Sequence, residues 1–365
     1  MLLARRNLTR DPVRLALSVS GVALSVALIL LLAGYRAGID AQASAYLDHT
    51  PGNAVVAERG IVDFLGTTST IPTGVQARVA ALAGAERVIP VVSQFVIIDA
   101  HGRKDGFFLV GYDPAAGGGP WNLVAGRQPT ADDELVLDAT AARQHGIAIG
   151  QPLRVLDRDM TVVGLSGGTT FWSGSIAFAR ITTLESMLRA PALRSLLLVT
   201  TQPGVSVSDL RASVAPLGVD VVAKADMIAA DRKLLARVYD APIGLMVAIA
   251  FAVGVLTVGI VIYTATIERR REYGALKAIG ARNAVLYRVV LLQALIAASI
   301  GGVGGVLLAI GGGAVLSAWR PQFRVDQEPA TVAVVLASTL LMAALAAIAP
   351  ARSVAGLEPA EVVRG

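Results

Sequence analysis

Four stretches of this chain, 16–34, 241–267, 289–317 and 331–349, run for 19, 27, 29 and 19 residues without an Asp, Glu, Lys, Arg or His. About 20 apolar residues cross the hydrocarbon of a bilayer, so each stretch is long enough to span it. A soluble core helix of this length needs a polar face, and these runs have almost no residues from which to build one. The remaining composition agrees: 54% of the 365 residues are hydrophobic and mean hydropathy is +0.63, above the soluble average.

Charge sets the expected orientation. Residues 1–15 carry Arg5, Arg6, Arg10 and Arg14 against Asp11, and 268–288 carries six basic residues against Glu268 and Glu272. The short connection 320–329 is balanced. Positive residues accumulate on the cytoplasmic side, so the N-terminus, 268–288 and the C-terminus are expected there, with 36–240 outside. The apolar run 16–34 is longer than the about 7–15 residues of a signal-peptide core, and reads as an uncleaved anchor. The net charge of +5 does not point to nucleic acid: 36–240 holds 18 basic and 20 acidic groups, so the positive excess belongs to the membrane and cytoplasmic parts. With no cysteine, the outer segment uses no disulfide.

Along the chain, 35–47 continues the first span as a helix. Beyond it lie short β-like runs at 88–98 and 107–110, with turns at Gly102-Arg103 and at Asp157-Arg158-Asp159. Val75, Val79 and Leu82 share a face in a helix over 74–83. A strand at 195–201, a helix at 207–214 and a strand at 219–223 follow, so two strand-and-helix units flank a mostly β insertion at 100–180. The helix-compatible stretch 224–239 leads into the second span. The reading is an α-helical membrane protein with four transmembrane helices and an α+β extracytoplasmic domain inserted between helices 1 and 2. Its parts are 1–35 (N-terminus and helix 1), 36–240 (the inserted domain) and 241–365 (helices 2–4, with the loop 268–288).

Several motifs invite chemistry. Gly164-Leu165-Ser166-Gly167-Gly168 matches the G-x-S-x-G elbow, but the residues after it make a poor helix start and only three histidines exist to serve as a base, so it reads as a loop. No G-x-x-x-x-G-K-[ST] occurs, so this chain has no P-loop. Asp132, Asp133, Glu134 and Asp138 lack the spacing and glycine of a calcium loop, and read as a solvated loop. No Cys or His pair has zinc spacing. Neither a catalytic residue nor a metal ligand is assigned. Gly301 and Gly305, and more weakly Gly21 and Ser25, have the small-xxx-small spacing of closely packed membrane helices. Spans without ionisable residues argue against self-powered transport. In 268–288 two glutamates sit among the arginines, and Tyr273, Leu276 and Ile279 recur every three residues on one expected helix face with Gly280 as terminator. That pattern suits a helix that docks a cytoplasmic partner.

The run from Ile267 through Glu268-Arg269-Arg270-Arg271-Glu272-Tyr273-Gly274-Ala275-Leu276-Lys277-Ala278-Ile279-Gly280-Ala281 resembles the "ERRREIGILKALGA" segment of the FtsX/MacB-like permeases, the type VII ABC transporter superfamily. Pro350-Ala351-Arg352 with Leu357-Glu358-Pro359-Ala360-Glu361-Val362-Val363-Arg364 is similar to that family's closing segment. Arg6-Asn7-Leu8 with Arg14 and Gly21-Val22-Ala23 resembles its start. Within the inserted domain, Val124-Ala125-Gly126-Arg127, Glu134-Leu135-Val136-Leu137 and Thr161-Val162-Val163-Gly164 are similar to its periplasmic core domain.

The resemblance implies a multi-pass permease of a bacterial inner membrane, paired with a second copy or a sibling permease. Each permease rests on a separate ABC-type ATPase, two copies in all, which binds the ATP and Mg; the chain itself carries no cofactor. Glu268, Arg269, Arg270, Arg271, Glu272, Gly274, Leu276, Lys277 and Gly280 then fall in the ATPase-coupling segment. Hydrolysis would drive the outer domain to export or extract a hydrophobic or lipid-linked molecule or a lipoprotein. The alternative is a mechanotransmitting regulator of an extracytoplasmic enzyme such as a cell-wall hydrolase. A periplasmic adaptor is a further possible partner.

Overall fold

The computed structural model describes residues 12–100, 103–171, 174–320 and 322–356. Arg5, Arg6, Asn7, Leu8, Arg10, Asp11, His101, Gly102 and the closing 357–364 lie outside the described residues, as do the side chains of Arg14 and Arg270. The chain forms two compact units, one of the segment up to Gly38, Tyr239–Trp319 and the segment from Arg324, the other of Ile39–Val238 with Arg320–Phe323.

The membrane unit is built on α1 (Pro12–His49, in its first part), α6 (Lys224–Glu268, in its second part), α8 (Asn283–Trp319) and α9 (Pro329–Ala346), with the short helices α7 (Arg270–Ala278) and α10 (Ile348–Ala355). Among the described residues, four helices are thus long and apolar enough to cross a membrane. Lipid tails give apolar side chains no reason to leave them, so contact between spans rests on close backbone approach. Glycines provide it. A Cβ on Gly301 would lie 2.6 Å from Val22 Cβ, and one on Gly305 2.6 Å from Val26 Cβ, so these two glycines of α8 receive the valine ridge of α1. On the other side of α1, a Cβ on Gly21 would meet Thr257 Cγ2 at 2.5 Å, and one on Gly254 would meet Ser25 Oγ at 2.9 Å.

Alanine at Gly301 or Gly305 is therefore expected to lower the unfolding midpoint in detergent, each overpacking by about 1–3 kcal/mol. Gly311→Ala, where a Cβ meets nothing within 4 Å, is the control and should not shift it. Equal midpoints for Gly305→Ala and Gly311→Ala would mean that α1 and α8 do not touch there.

A second glycine pair on α1, Gly34 and Gly38, receives the segment 324–327. A Cβ on Gly38 would lie 2.0 Å from the Arg324 carbonyl oxygen, and the Asp326 N–H donates to the Gly34 carbonyl at 3.0 Å. Arg36 on the same helix pairs with Asp240 of α6 through two parallel bonds, 2.5 and 3.0 Å.

The inserted unit is one mixed sheet. Its strands are β1 (Ala54–Glu58), β2 (Ala85–Ala100), β3 (Arg103–Tyr112), β4 (Leu123–Gly126), β5 (Glu134–Asp138), β6 (Pro152–Val155), β7 (Arg158–Ser166), β8 (Thr170–Phe171), β9 (Gly174–Arg180), β10 (Leu196–Thr201) and β11 (Val219–Ala223). The order is β11-β1-β10-β2-β3-β9-β5-β7-β4, with β6 against β2 and β7 and β8 against β9. Pairs β3–β9 and β5–β7 are parallel; the others are antiparallel.

β1 is apolar up to its last residue, the exposed Glu58, because both its faces are covered. Ala54 and Val56 pack with α2 (Val75–Ala80) and α5 (Val207–Val214), while Val55 and Ala57 pack with Tyr46 and Leu47 of α1 and Met227 of α6. A third cluster joins β5, β6 and β7 to α3 (Ala139–His145) and α4 (Ile181–Met187). The helix read at 207–214 forms over those residues, closed at its start by a reciprocal Ser206–Asp209 capping box. The one expected over 74–83 is shorter, beginning after Gly74 at φ 82°. The turn expected at 157–159 falls one residue earlier, with Leu156 at φ 53° and Asp159 already in β7.

Residues 320–323 of the α8–α9 connection belong to this unit. The Gln42 side-chain amide donates to the Gln322 carbonyl at 3.2 Å, and that of Gln144 to Gln322 Oε1 at 2.5 Å.

Candidate coupling site

Within the segment 268–281, Glu268 ends α6 and Arg270–Ala278 forms α7, set off by the single residue Arg269 at φ −98°, ψ 17°. Its end is a Schellman turn. Gly280, at φ 96°, donates to the Lys277 carbonyl and Ala281 donates to that of Leu276, so the last carbonyls of the helix are satisfied.

One side of α7 is spent on the membrane unit. Tyr273 is 3% exposed and, with Leu276, joins a cluster containing Leu286 and Val290 of α8 and Ala347 and Ala351 at α10. Gly274 is buried as well. Ile279 does not belong to the cluster, contrary to the face expected from a spacing of three. Successive residues turn by about 100°, so each step of three falls about 60° short of a full turn. Two such steps carry Ile279 about 120° away from Tyr273, and it stands 85% exposed. The open side presents Arg271, Glu272, Ala275, Ala278 and Ile279. Glu268 is exposed as well, and Arg269 lies 3.9 Å from Glu272, with only 18% of its side chain exposed. Lys277 turns inward, its Nζ donating to the Ala355 carbonyl at 2.6 Å.

The other motifs resolve into structural roles. Ser166 ends β7, is fully buried and bonds Thr169 Oγ1 at 2.7 Å, with a turn and not a helix after it, so it is not a hydrolase nucleophile. Glu134 accepts from both terminal nitrogens of Arg127 and from the Thr130 and Ala131 amides, which hold its carboxyl well below the usual range, Arg127 most of all. Asp132 pairs with Arg180 at 3.3 Å. Asp138 corrects the reading of this acidic run as a solvated loop, because it is 0% exposed. Its position at the start of α3, two residues before Thr140, was the signal of a cap.

Four membrane-length helices, an α+β domain between the first and second, and a short surface helix after the second define an ABC-type permease architecture. The profile of the MacB-like periplasmic core domain matches residues 15–217, and that of the FtsX-like permease C-terminal region matches 244–359. The chain belongs to the MacB/FtsX-like family of ABC transporter permeases. It is 27% identical over 350 residues to an uncharacterized ABC transporter permease of Mycobacterium bovis, covering 95% of this chain and 94% of that one. The macrolide export ATP-binding/permease protein MacB of Agrobacterium fabrum is 31% identical over 111 residues, 30% of this chain and 17% of that protein. Among solved structures, the periplasmic region of MacB from Actinobacillus actinomycetemcomitans overlays 49% of this chain and 92% of that one, at 13% identity and a TM-score of 0.38. Membership implies an ATPase partner.

Proposed function

We propose that this chain is the non-hydrolysing permease of an inner-membrane ABC system, with both termini cytoplasmic, and that a separate ATPase docks on the open side of α7. The observation that carries the reading is the division of α7: one flank is plugged into the chain's own helices while the other leaves a large apolar side chain, Ile279, 85% exposed beside Arg271 and Glu272. An exposed isoleucine in a charged rim has the composition of an interface anchor. Two ATPase copies, each binding ATP and Mg, would serve a pair of permeases, and their closure would move the inserted domain through the helices that enter it. Spans free of ionisable side chains suit a hydrophobic or lipid-linked cargo, or a lipoprotein, better than an ion or a polar solute.

The test is purification of the tagged chain in mild detergent with the ATPase that co-elutes, comparing wild type, Ile279→Glu and a Glu268→Lys/Glu272→Lys double variant. All three positions are exposed, so melting should be nearly unchanged. Ile279→Glu is expected to lose bound ATPase and hydrolysis by at least about tenfold, the size of a modest hot spot. Full hydrolysis in both variants would remove α7 as the docking element.

A further inference from the structure

We infer that Lys277 is a positioning residue and not a contact for the partner: it binds α7 to the C-terminal end of α10, so that thrust received by α7 enters the third and fourth spans. This rests on the docking role proposed for α7. Three features of the membrane unit support it.

First, the last carbonyls of a helix have no partner within it and form the negative end of its dipole. Ala355 is the last residue of α10, and the Lys277 ammonium meets its carbonyl at 2.6 Å. A cation placed there satisfies an orphan acceptor and the dipole together. Second, the apolar flank beside Lys277 is anchored in the membrane unit: Tyr273 and Leu276 belong to a cluster that holds Leu286 and Val290 near the start of α8 and Ala347 and Ala351 at the α9–α10 elbow, together with Val258 and Ile262 of α6. Third, α7 is continuous with neither of the long helices it joins. Towards α8 it ends in a Schellman turn whose two bonds close on its own last carbonyls, and towards α6 the helix is interrupted at Arg269. What fastens the short helix to α10 is therefore the Lys277 bond and the shared cluster.

Replacing Lys277 by methionine keeps the aliphatic stem and removes the charge, and arginine restores it. The chain has no cysteine, so Ala278→Cys and Arg352→Cys, both exposed, accept spin labels without background. Wild type and Lys277→Arg are expected to give one narrow label-to-label distance by pulsed electron resonance, and Lys277→Met a broad distribution. With the co-purified ATPase, Lys277→Met should bind as wild type does, yet lose permease-dependent stimulation of hydrolysis by at least about fivefold, with recovery in Lys277→Arg. An unchanged distance distribution in Lys277→Met overturns the inference. So does lost ATPase binding with the distance intact, which would make Lys277 a docking contact. A wild-type chain that binds no ATPase defeats the docking proposal alone, and the spectra still decide the brace.

Discussion

Asp138→Ala is expected to destabilise the inserted domain by about 3–5 kcal/mol, a large share of the 5–15 kcal/mol that holds a typical domain together. The carboxylate is fully buried with no cation beside it in the described structure, and is held by donors alone. Oδ1 accepts from the Thr140 and Ala141 amides at 2.9 and 3.0 Å, capping α3, and from the Thr170 hydroxyl at 3.0 Å. Oδ2 accepts from Thr169 Oγ1 at 2.7 Å. Since Thr169 gives its only hydroxyl proton to Asp138, Ser166 must donate to Thr169 across their 2.7 Å contact.

Removing the carboxylate strands these donors where water does not reach, at roughly 1–3 kcal/mol for each left unpaired. Asparagine keeps one acceptor, and the Thr169 hydroxyl can turn to receive its amide, so Asp138→Asn should cost only about 1–2 kcal/mol. Denaturant unfolding of the full chain, followed by hydrogen exchange over 134–180, reads both. A loss below about 1 kcal/mol for Asp138→Ala would mean the network is hydrated and the residue ordinary.

Asp231→Asn is expected to leave stability unchanged in acid and to raise it above neutral pH. Asp231 lies in the first turns of α6, within the inserted unit and ahead of the membrane-spanning part. It is 0% exposed, and its Oδ1 accepts from the Phe64 and Leu65 amides, each at 2.9 Å. Its Oδ2 has no hydrogen-bond partner among the described residues. Burial pushes the carboxyl up to about 7, against the pull of those two amides, and the nearby charge of Asp63 adds to the rise. The folded pKa lies above that of an unfolded aspartate, about 3.9.

The folded state therefore holds the extra proton between the two values. The contribution is fully present below about pH 4 and is lost as pH rises through 7. About three units correspond to roughly 4 kcal/mol, so the wild type should fall behind Asp231→Asn by up to that amount at pH 8 and match it near pH 4. Unfolding midpoints of both proteins across this range isolate the one group. A gap that does not change with pH would show that Asp231 titrates normally, with a water or another donor on Oδ2.

The division of labour between sequence and tertiary structure follows from the range of the forces concerned. Hydropathy and charge act locally, so the four spans and the α+β domain between the first two are written in runs of 19–29 residues. The helix at 207–214 is local too, bounded by Ser206 and Asp209 three residues apart. Strand order is not local. The parallel pairing of β3 with β9 joins residues nearly seventy positions apart, and nothing in either strand names the other. The buried role of Asp138 needs Thr169 and Thr170 brought to it by that same sheet, so an acidic run read along the chain looks like a solvated loop.

On α7, a period of three marks a helix but does not say which flank faces inward, because Tyr273 is buried in a cluster drawn from α1, α6, α8, α9 and α10, segments most of which lie far from it in sequence. For that reason the isoleucine, expected on the apolar face, stands in the open, and the Lys277 ammonium is turned to a carbonyl 78 residues away. The pattern of apolar and charged residues determined by itself that this chain crosses a membrane four times and carries a folded domain. Which side chains hold that domain, and which face of the short helix α7 stays open, were decided only by contacts between segments far apart in sequence.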